Sequence, residues 1–281
     1  MLRWTCCLCT VAQVVHTLTE GRPVAGVTSL DNEIFLLRPK GRDQVEVYDV
    51  ITYRLQRCLT VPNARGFVDM TSCEHYHCLY IGNGIDECVH RLDVDGATTT
   101  RWAIHDNPYS LSVNSSHNVV VTLTEACKIK EFSSHGDLLR ELTLPDDVIS
   151  PWHTIQSRSG QFVVGHSKFC AEVHRVCVIS ADDRRIVHSH GGQWRPGSGQ
   201  YYMPCHLAVD DSERIFVADN GNRRVMLLSP ALDDVRQVVS SDQLKWACDR
   251  LSFDAHRRRL YVADNEFTDK PIGGRVVVFS V

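Results

Sequence analysis

Met203-Pro-Cys-His-Leu-Ala-Val-Asp-Asp-Ser-Glu-Arg-Ile-Phe-Val-Ala-Asp-Asn-Gly-Asn-Arg-Arg-Val-Met-Leu-Leu228 decides the fold, because a degenerate copy follows about 44 residues later. That copy runs through Asp249-Arg-Leu-Ser-Phe-Asp254, Arg259-Leu-Tyr-Val-Ala-Asp-Asn265 and Arg275-Val-Val-Val-Phe279. Each unit offers an alternating strand, a polar turn, a nearly all-apolar strand ending in the same Ala-Asp-Asn, and another β-rich run. Short strands repeating every 40–45 residues are the signature of a β-propeller blade.

The unit can be followed backwards. Pro151-Trp-His-Thr-Ile155 precedes Gln161-Phe-Val-Val-Gly165, and Pro108-Tyr-Ser-Leu-Ser-Val113 precedes Asn118-Val-Val-Val-Thr-Leu123. Phe67-Val-Asp-Met70 precedes Cys78-Leu-Tyr-Ile-Gly-Asn83, and Val24-Ala-Gly-Val-Thr-Ser29 precedes Glu33-Ile-Phe-Leu-Leu37. A proline separated by two or three residues from a Leu or Ile anchor recurs at 108, 151 and 204, in steps of 43 and 53 residues. The longer step contains Gly191-Gly-Gln-Trp-Arg-Pro-Gly-Ser-Gly199, read as a loop insertion. Inner strands near 24, 67, 108, 151, 204 and 248 make six blades. The predicted fold is all-β, a six-bladed propeller of four-stranded blades with almost no helix.

The sixth unit ends one strand short, since Arg275–Ser280 is only its third strand. Val11-Ala-Gln-Val-Val-His-Thr-Leu18 is the unassigned β-like run, and it is expected to pair with the last blade and close the ring. An unclosed ring would leave blade faces uncovered and a strand edge free to aggregate. One domain over 11–281 follows, with 1–10 as a short extension.

A chain of 281 residues, 43% hydrophobic, can bury a large core. Net charge −4 and a pI near 6.4 speak against a general nucleic-acid binder. Positive clusters at Arg223-Arg224 and Arg257-Arg258-Arg259 read as solvated hairpin loops. The first ten residues resemble a secretory signal only faintly, and no run approaches the roughly 18 apolar residues of a membrane-crossing helix. Twelve cysteines placed within strands rather than in a spaced framework point to reduced thiols and a cytoplasmic setting.

Ala218-Asp-Asn-Gly-Asn-Arg-Arg-Val225, following Pro204, Leu207 and Asp210, resembles the signature of the NHL repeat, in which each repeat is one blade of a six-bladed propeller. The match is close over 203–229, fair over 248–280, and a pattern of strands over 20–190. The resemblance extends to the C-terminal propellers of tripartite-motif ubiquitin ligases, which bind proteins or RNA stem-loops through one face. The RING, B-box and coiled-coil parts of those ligases have no counterpart in these 281 residues, so ligase activity is not carried over. The expected role is that of the substrate-recognition part alone, or of a free-standing relative of it.

Inner strands begin beside the central channel, on the face where propeller ligands usually dock. The residue before the Leu or Ile anchor is Ser110, Thr154, His206 and Arg250 in successive blades, with His153 one position earlier in blade four. This polar ring suits an anion, a metal or a peptide side chain, against the plainer reading of a water-filled channel. Cys73-Glu-His-Tyr-His-Cys78 is dense in soft ligands, making Cys73, His75, His77 and Cys78 metal candidates. Alternate side chains of a hairpin diverge, however, and a decorated turn is the expectation. A Cys73–Cys78 disulfide is sterically conceivable in an oxidising compartment. Trp152, Trp194, Tyr201 and Tyr202, beside Arg195, read either as an exposed aromatic hot spot or as a plug for the long insertion. His166 stands where Asp219 and Asp264 stand elsewhere and is expected to replace a turn-forming carboxylate.

No Gly-x-Ser-x-Gly occurs, and the paired aspartates 182–183 and 210–211 fall in turns. The leading expectation is a monomeric, cofactor-free, non-enzymatic scaffold that binds a protein partner through Trp152, His153, Trp194, Arg195, Tyr201, Tyr202, His206 and Arg250. RNA stem-loop binding by the same face is the alternative. A third reading is a metal-dependent lyase or lactonase, since propellers similar to these repeats include such enzymes; only His153 and His206 match their channel ligands.

Overall fold

The computed structural model describes residues 11–38, 44–61, 66–95, 99–167, 173–193, 200–266 and 273–281. Its first strand, β1 (Gln13–Gly21), belongs to the last blade. Blade one follows as β2 (Gly26–Leu30), β3 (Glu33–Leu37), β4 (Gln44–Asp49) and β5 (Leu55–Thr60). Blade two is β6 (Phe67–Cys73), β7 (Cys78–Asn83), β8 (Cys88–Asp93) and β9 (Thr99–Ala103), and blade three β10 (Ser110–Val113), β11 (Val119–Leu123), β12 (Lys128–Phe132) and β13 (Leu138–Thr143). Blade four is β14 (Pro151–Gln156), β15 (Phe162–Ser167), β16 (Val173–Ile179) and β17 (Ile186–Gln193). Blade five is β18 (Pro204–Val209), β19 (Ile215–Asp219), β20 (Arg224–Leu228) and β21 (Val235–Val239). Blade six is β22 (Ala247–Asp254), β23 (Arg259–Asn265) and β24 (Gly274–Ser280). Five sheets are four-stranded antiparallel meanders, the sixth is ordered β1–β24–β23–β22, and among the described residues the only helix is one 3₁₀ turn at Asn220–Asn222.

Closure occurs as the sequence predicts. β1 adds antiparallel to β24, pairing Gln13 with Ser280, Thr17 with Val277 and Leu18 with Val276. Its start is also tied to blade five, where the Ala12 amide donates to the Val238 carbonyl at 2.8 Å.

The core lies between blades rather than in a common centre. Phe35, Leu37, Val45 and Val47 of blade one pack on Phe67, Met70, Leu79 and Ile81 of blade two, and a comparable cluster fills each of the other five interfaces. The middle strands are therefore covered on both sides, which explains continuous apolar runs such as Val119–Val121 in place of strict alternation.

The repeated Ala-Asp-Asn now has a mechanical meaning. Asp219 accepts the Tyr202 amide at 2.7 Å and Arg224 Nε at 2.7 Å, so it latches the loop entering its own blade. Asp264 does the same with the amides of Lys245 and Trp246 and with Arg275 Nε. The asparagine instead grips the next blade: Asn220 Nδ2 donates to the Cys248 carbonyl at 3.0 Å, and Asn265 bonds both the amide and the carbonyl of Val24. Thr124 holds the same register in blade three, its hydroxyl donating to the Pro151 carbonyl at 2.6 Å. His166 sits opposite Pro151 as Asp219 sits opposite Pro204, the slot the sequence assigns it. Arg224 and Arg257 depart from the solvated-loop expectation: Arg224 is spent on the Asp219 latch, and Arg257 bonds Asp254 and the Asp31 carbonyl.

Candidate functional site

Strand register defines which side chains face one another across the channel. Bulges at 68, 152, 205 and 249 bring Asp69, His153, His206 and Arg250 opposite the residues two-thirds along their neighbouring strands, namely Gly82, Gly165, Ala218 and Ala263. Ser110 and Gly26 hold the equivalent places in blades three and one. The structure corrects the sequence reading at two positions. Thr154 is not in the ring: Pro151 and Pro204 share one register and one bulge, so Thr154 and not Ile155 holds the place of Leu207, and His153 is the equivalent of His206. Asp69 was missed, although it precedes Met70 as His206 precedes Leu207. Gly26 contributes no side chain because a Cβ there would lie 2.8 Å from the Met70 backbone nitrogen.

These residues form a cross-ring staple. Asp69 Oδ2 accepts the Leu111 amide at 2.8 Å and lies 3.6 Å from His206 Nε2, while Oδ1 lies 3.3 Å from Arg250 Nε. Arg250 reaches over the place left by Gly26 to the Val68 carbonyl at 3.0 Å, joining blade six directly to blade two. Burial lifts the Asp69 carboxyl above its ordinary range, and the Arg250 guanidinium pulls it back.

Asp69, His153 and His206 place ligand atoms within 4.8 Å of one another, so a metal must be considered. The tautomers oppose one. A carbonyl cannot donate, so His153 Nε2, 3.2 Å from the Leu111 oxygen, carries the proton and leaves Nδ1 bare. His206 Nδ1 receives the Leu251 amide at 3.3 Å, so its proton is on Nε2, the atom facing Asp69. A protonated nitrogen is no ligand, and the adjacent guanidinium adds a fixed positive charge. Among the described residues, His206 Nε2 and His153 Nδ1 have no hydrogen-bond partner, while both Asp69 oxygens are engaged, by the Leu111 amide and the Arg250 guanidinium.

The buried imidazoles set an acid limit. Desolvation drives His153 and His206 well below the ordinary histidine value and takes His166 down to about 4. In the unfolded chain all three protonate near 6.5, while the folded protein refuses those protons, so their stabilisation is complete above that pH and lost as pH falls below it. Three such groups amount to roughly 4 kcal/mol between pH 7.5 and 5.5, about 1.4 kcal/mol each for the one pH unit that lies below 6.5. Urea unfolding at the two pH values measures this, and equal midpoints would refute the neutral assignment.

The two ends of the channel differ. Where the inner strands begin, Trp152 meets Tyr109 edge-on at 5.1 Å and the Arg250 guanidinium lies 5.9 Å from the Tyr109 ring centre, so side chains fill that mouth. Where they end, a cavity of about 190 Å³ opens, ringed by hydroxyls such as Thr28, Ser72, Ser112 and Ser252. It shares Val113, Ile155 and Val209 with a second cavity of about 290 Å³ over blades three to five. It shares Ser29, Ser72 and Phe253 with a third of about 220 Å³ over blades six, one and two. The three form one trench across the face opposite to the one expected from the sequence. Its floor is apolar at one end, with Val209 41% exposed and Ile155, Val163 and Ile215 beneath, hydroxyl-lined in the middle, and flanked by Asp31 and Glu74 at the other end. Small hydroxyl residues in the trailing halves of inner strands were the available sequence signal for this opening.

The aromatic candidates are mostly structural. Tyr201 is only 2% exposed and packs edge-on to His190, which corrects its reading as an exposed anchor. Tyr202 is half-buried against His174 and covers Gly221, where any Cβ would collide with its ring. Trp152 is half-buried, its indole donating to Ser167. Trp194 and Arg195 lie outside the described residues. In the 73–78 hairpin, Cys73 and Cys78 are direct cross-strand partners buried with Tyr80, whereas His77 bonds Asp31 at 2.6 Å and His75 stacks on His117. The two thiols share one buried cluster, while the two imidazoles lie apart from it on different partners.

One Cys–His contact has the composition of a nucleophile and its base: Cys88 Sγ lies 3.5 Å from His90 Nε2. Both are buried, and burial pushes the thiol up and the imidazole down, against the thiolate–imidazolium state a nucleophile needs.

No family model matches this chain, and no curated protein matches it. Solved structures do. Kuenenia stuttgartiensis hydrazine synthase superposes with a TM-score of 0.65 at 12% identity, covering 95% of this chain and 98% of that one. The β-propeller domain of Cps50 (Swd1) from Myceliophteria thermophila gives 0.65 at 11%, covering 96% and 99%. A streptogramin B lyase gives 0.63 at 9%, covering 92% and 83%. Two enzymes and a β-propeller domain are alike in backbone to this chain at such identities, so the likeness bears on the propeller fold and not on activity.

Proposed function

We propose that this chain is a non-enzymatic recognition propeller that binds a protein partner through the face on which the inner strands end. The observation that carries this reading is the continuity of the trench: three cavities with shared lining residues, built by all six blades and therefore rigid before any partner arrives. An apolar recess bordered by polar walls is the usual composition of a binding surface. The likeness of 203–229 to the NHL repeat supports the same role, and the tripartite-motif resemblance suggests substrate selection within a ubiquitin-ligase-like system. RNA is the weaker reading, because Asp31, Glu74 and Glu213 line the trench where phosphates would lie.

The test compares the two faces. Val209→Glu puts a charge into the apolar recess and should lower capture of specific partners from cell extract about tenfold, the loss expected of one central contact. Arg223→Glu, in a loop on the other face, should leave capture unchanged. Loss with Arg223→Glu and retention with Val209→Glu would move the binding surface back to the face where the strands begin.

A further inference from the structure

The chemistry along the trench specifies its occupant more closely than a protein partner in general, a specification that rests on the trench being the binding face. At the blade-four and blade-five end, Ile155, Val163, Val178 and Ile215 floor a recess of branched-aliphatic character, and Val209 stands exposed at its lip. No described aromatic lines it, so its shape favours an aliphatic side chain over a stacked ring. The rim charges there offset: Asp210 is bound by Arg214 at 2.6 Å, and the exposed Arg158 faces Glu213, which accepts its backbone amide.

At the opposite end the charges do not offset. Asp254 is matched by Arg257 at 3.1 Å, whose guanidinium also binds the Asp31 carbonyl oxygen, while the carboxylates of Asp31 and Glu74, half or more in solvent, pair with His77 and His256. A histidine is not a permanent cation as an arginine or lysine is. Two carboxylates therefore remain as an uncompensated negative pole. Between the poles the walls are hydroxyls without formal charge.

We propose that the trench takes an extended segment of a protein partner that presents an aliphatic side chain to the Val209 recess and a lysine or arginine to the Asp31–Glu74 pole. The extended form follows from the shape: a strand-like chain rises about 3.3 Å per residue and sends side chains alternately down and up, letting separated residues reach both ends while its backbone runs over the hydroxyls.

The probe is a positional-scanning library of N-acetylated, C-amidated octapeptides passed over the immobilised protein. Retained peptides should be enriched in leucine, isoleucine or valine at one position and in lysine or arginine at another. The double variant Asp31→Asn/Glu74→Lys should keep the aliphatic preference while binding the selected basic peptides about tenfold more weakly. Both sites are exposed, and an unchanged melting temperature confirms that the variant is folded. Selection of acidic residues by the natural protein, or a basic preference that survives in the double variant, overturns the charge assignment alone. Retention of no peptide by the natural protein, or retention of stem-loop RNA in its place, overturns the trench reading on which the assignment stands.

Discussion

Arg250→Ala is expected to remove about 3–5 kcal/mol of stability, because it strips the partner from a carboxylate that has no route to water. Asp69 is 1% exposed, and what remains at its Oδ2 is the Leu111 amide at 2.8 Å and the more distant His206 Nε2 at 3.6 Å. The same substitution frees the Val68 carbonyl and the Asp249 contacts at 3.0 and 3.1 Å, and it removes the cation above Tyr109. The loss is large since Arg250 is a buried tie across the ring from blade six to blade two, whereas the His256–Glu74 contact between the same blades is exposed. A charge partly screened at a surface would be worth a fraction of this. Removing both charges with Asp69→Asn/Arg250→Met should recover most of the stability, as a buried pair replaced by neutral groups of similar volume commonly does. Urea unfolding of the two single variants and the double closes the cycle. A cost under about 1 kcal/mol for Arg250→Ala would mean that solvent reaches Asp69 and that the staple is an ordinary polar lining.

How far the molecule was readable beforehand depends on distance along the chain. The blades were legible because each is a local meander whose strands follow at fixed spacing, and Ile215–Val217 or Val119–Val121 mark the covered strands directly. The closing partnership of β1 with β24 was legible by elimination, since one β-like run had no blade of its own. The channel was legible only in part. His206 and Arg250 fall into place from their leucine anchors, but blade four has Thr154 at the anchor place with Ile155 beside it, which exchanged Thr154 for His153, and blade two has Phe67 in place of the proline, which concealed Asp69. The trench left only one trace, the small hydroxyl residues in the trailing halves of the inner strands. Its walls come from hairpins far apart in sequence, and the bulky aromatics that draw the eye, Trp152 and Tyr201, are consumed in filling the other face. Exposed Val209 carries no mark in the sequence that separates it from buried Val217; only the end of its strand in space does so.

Each of these features requires the ring to be shut, since all six blades supply trench walls and blade six is complete only with β1. Ala12 and Leu18 are 2% and 1% exposed, Leu18 between blades six and one and Ala12 between blades five and six. Removing them together with the β1–β24 ladder leaves a bare edge on β24 and opens two interfaces. The expected loss is roughly 5–10 kcal/mol, from one buried leucine at about 1.5–3 kcal/mol plus several ladder hydrogen bonds at about 1 kcal/mol each. That is comparable with the whole stability of a domain, about 5–15 kcal/mol. Thermal unfolding of the chain lacking residues 1–21 beside the full chain measures it. The truncated protein should show no cooperative transition in the range where the full chain melts, whereas a transition within a few degrees of the full chain's would contradict a ring held shut by its first strand.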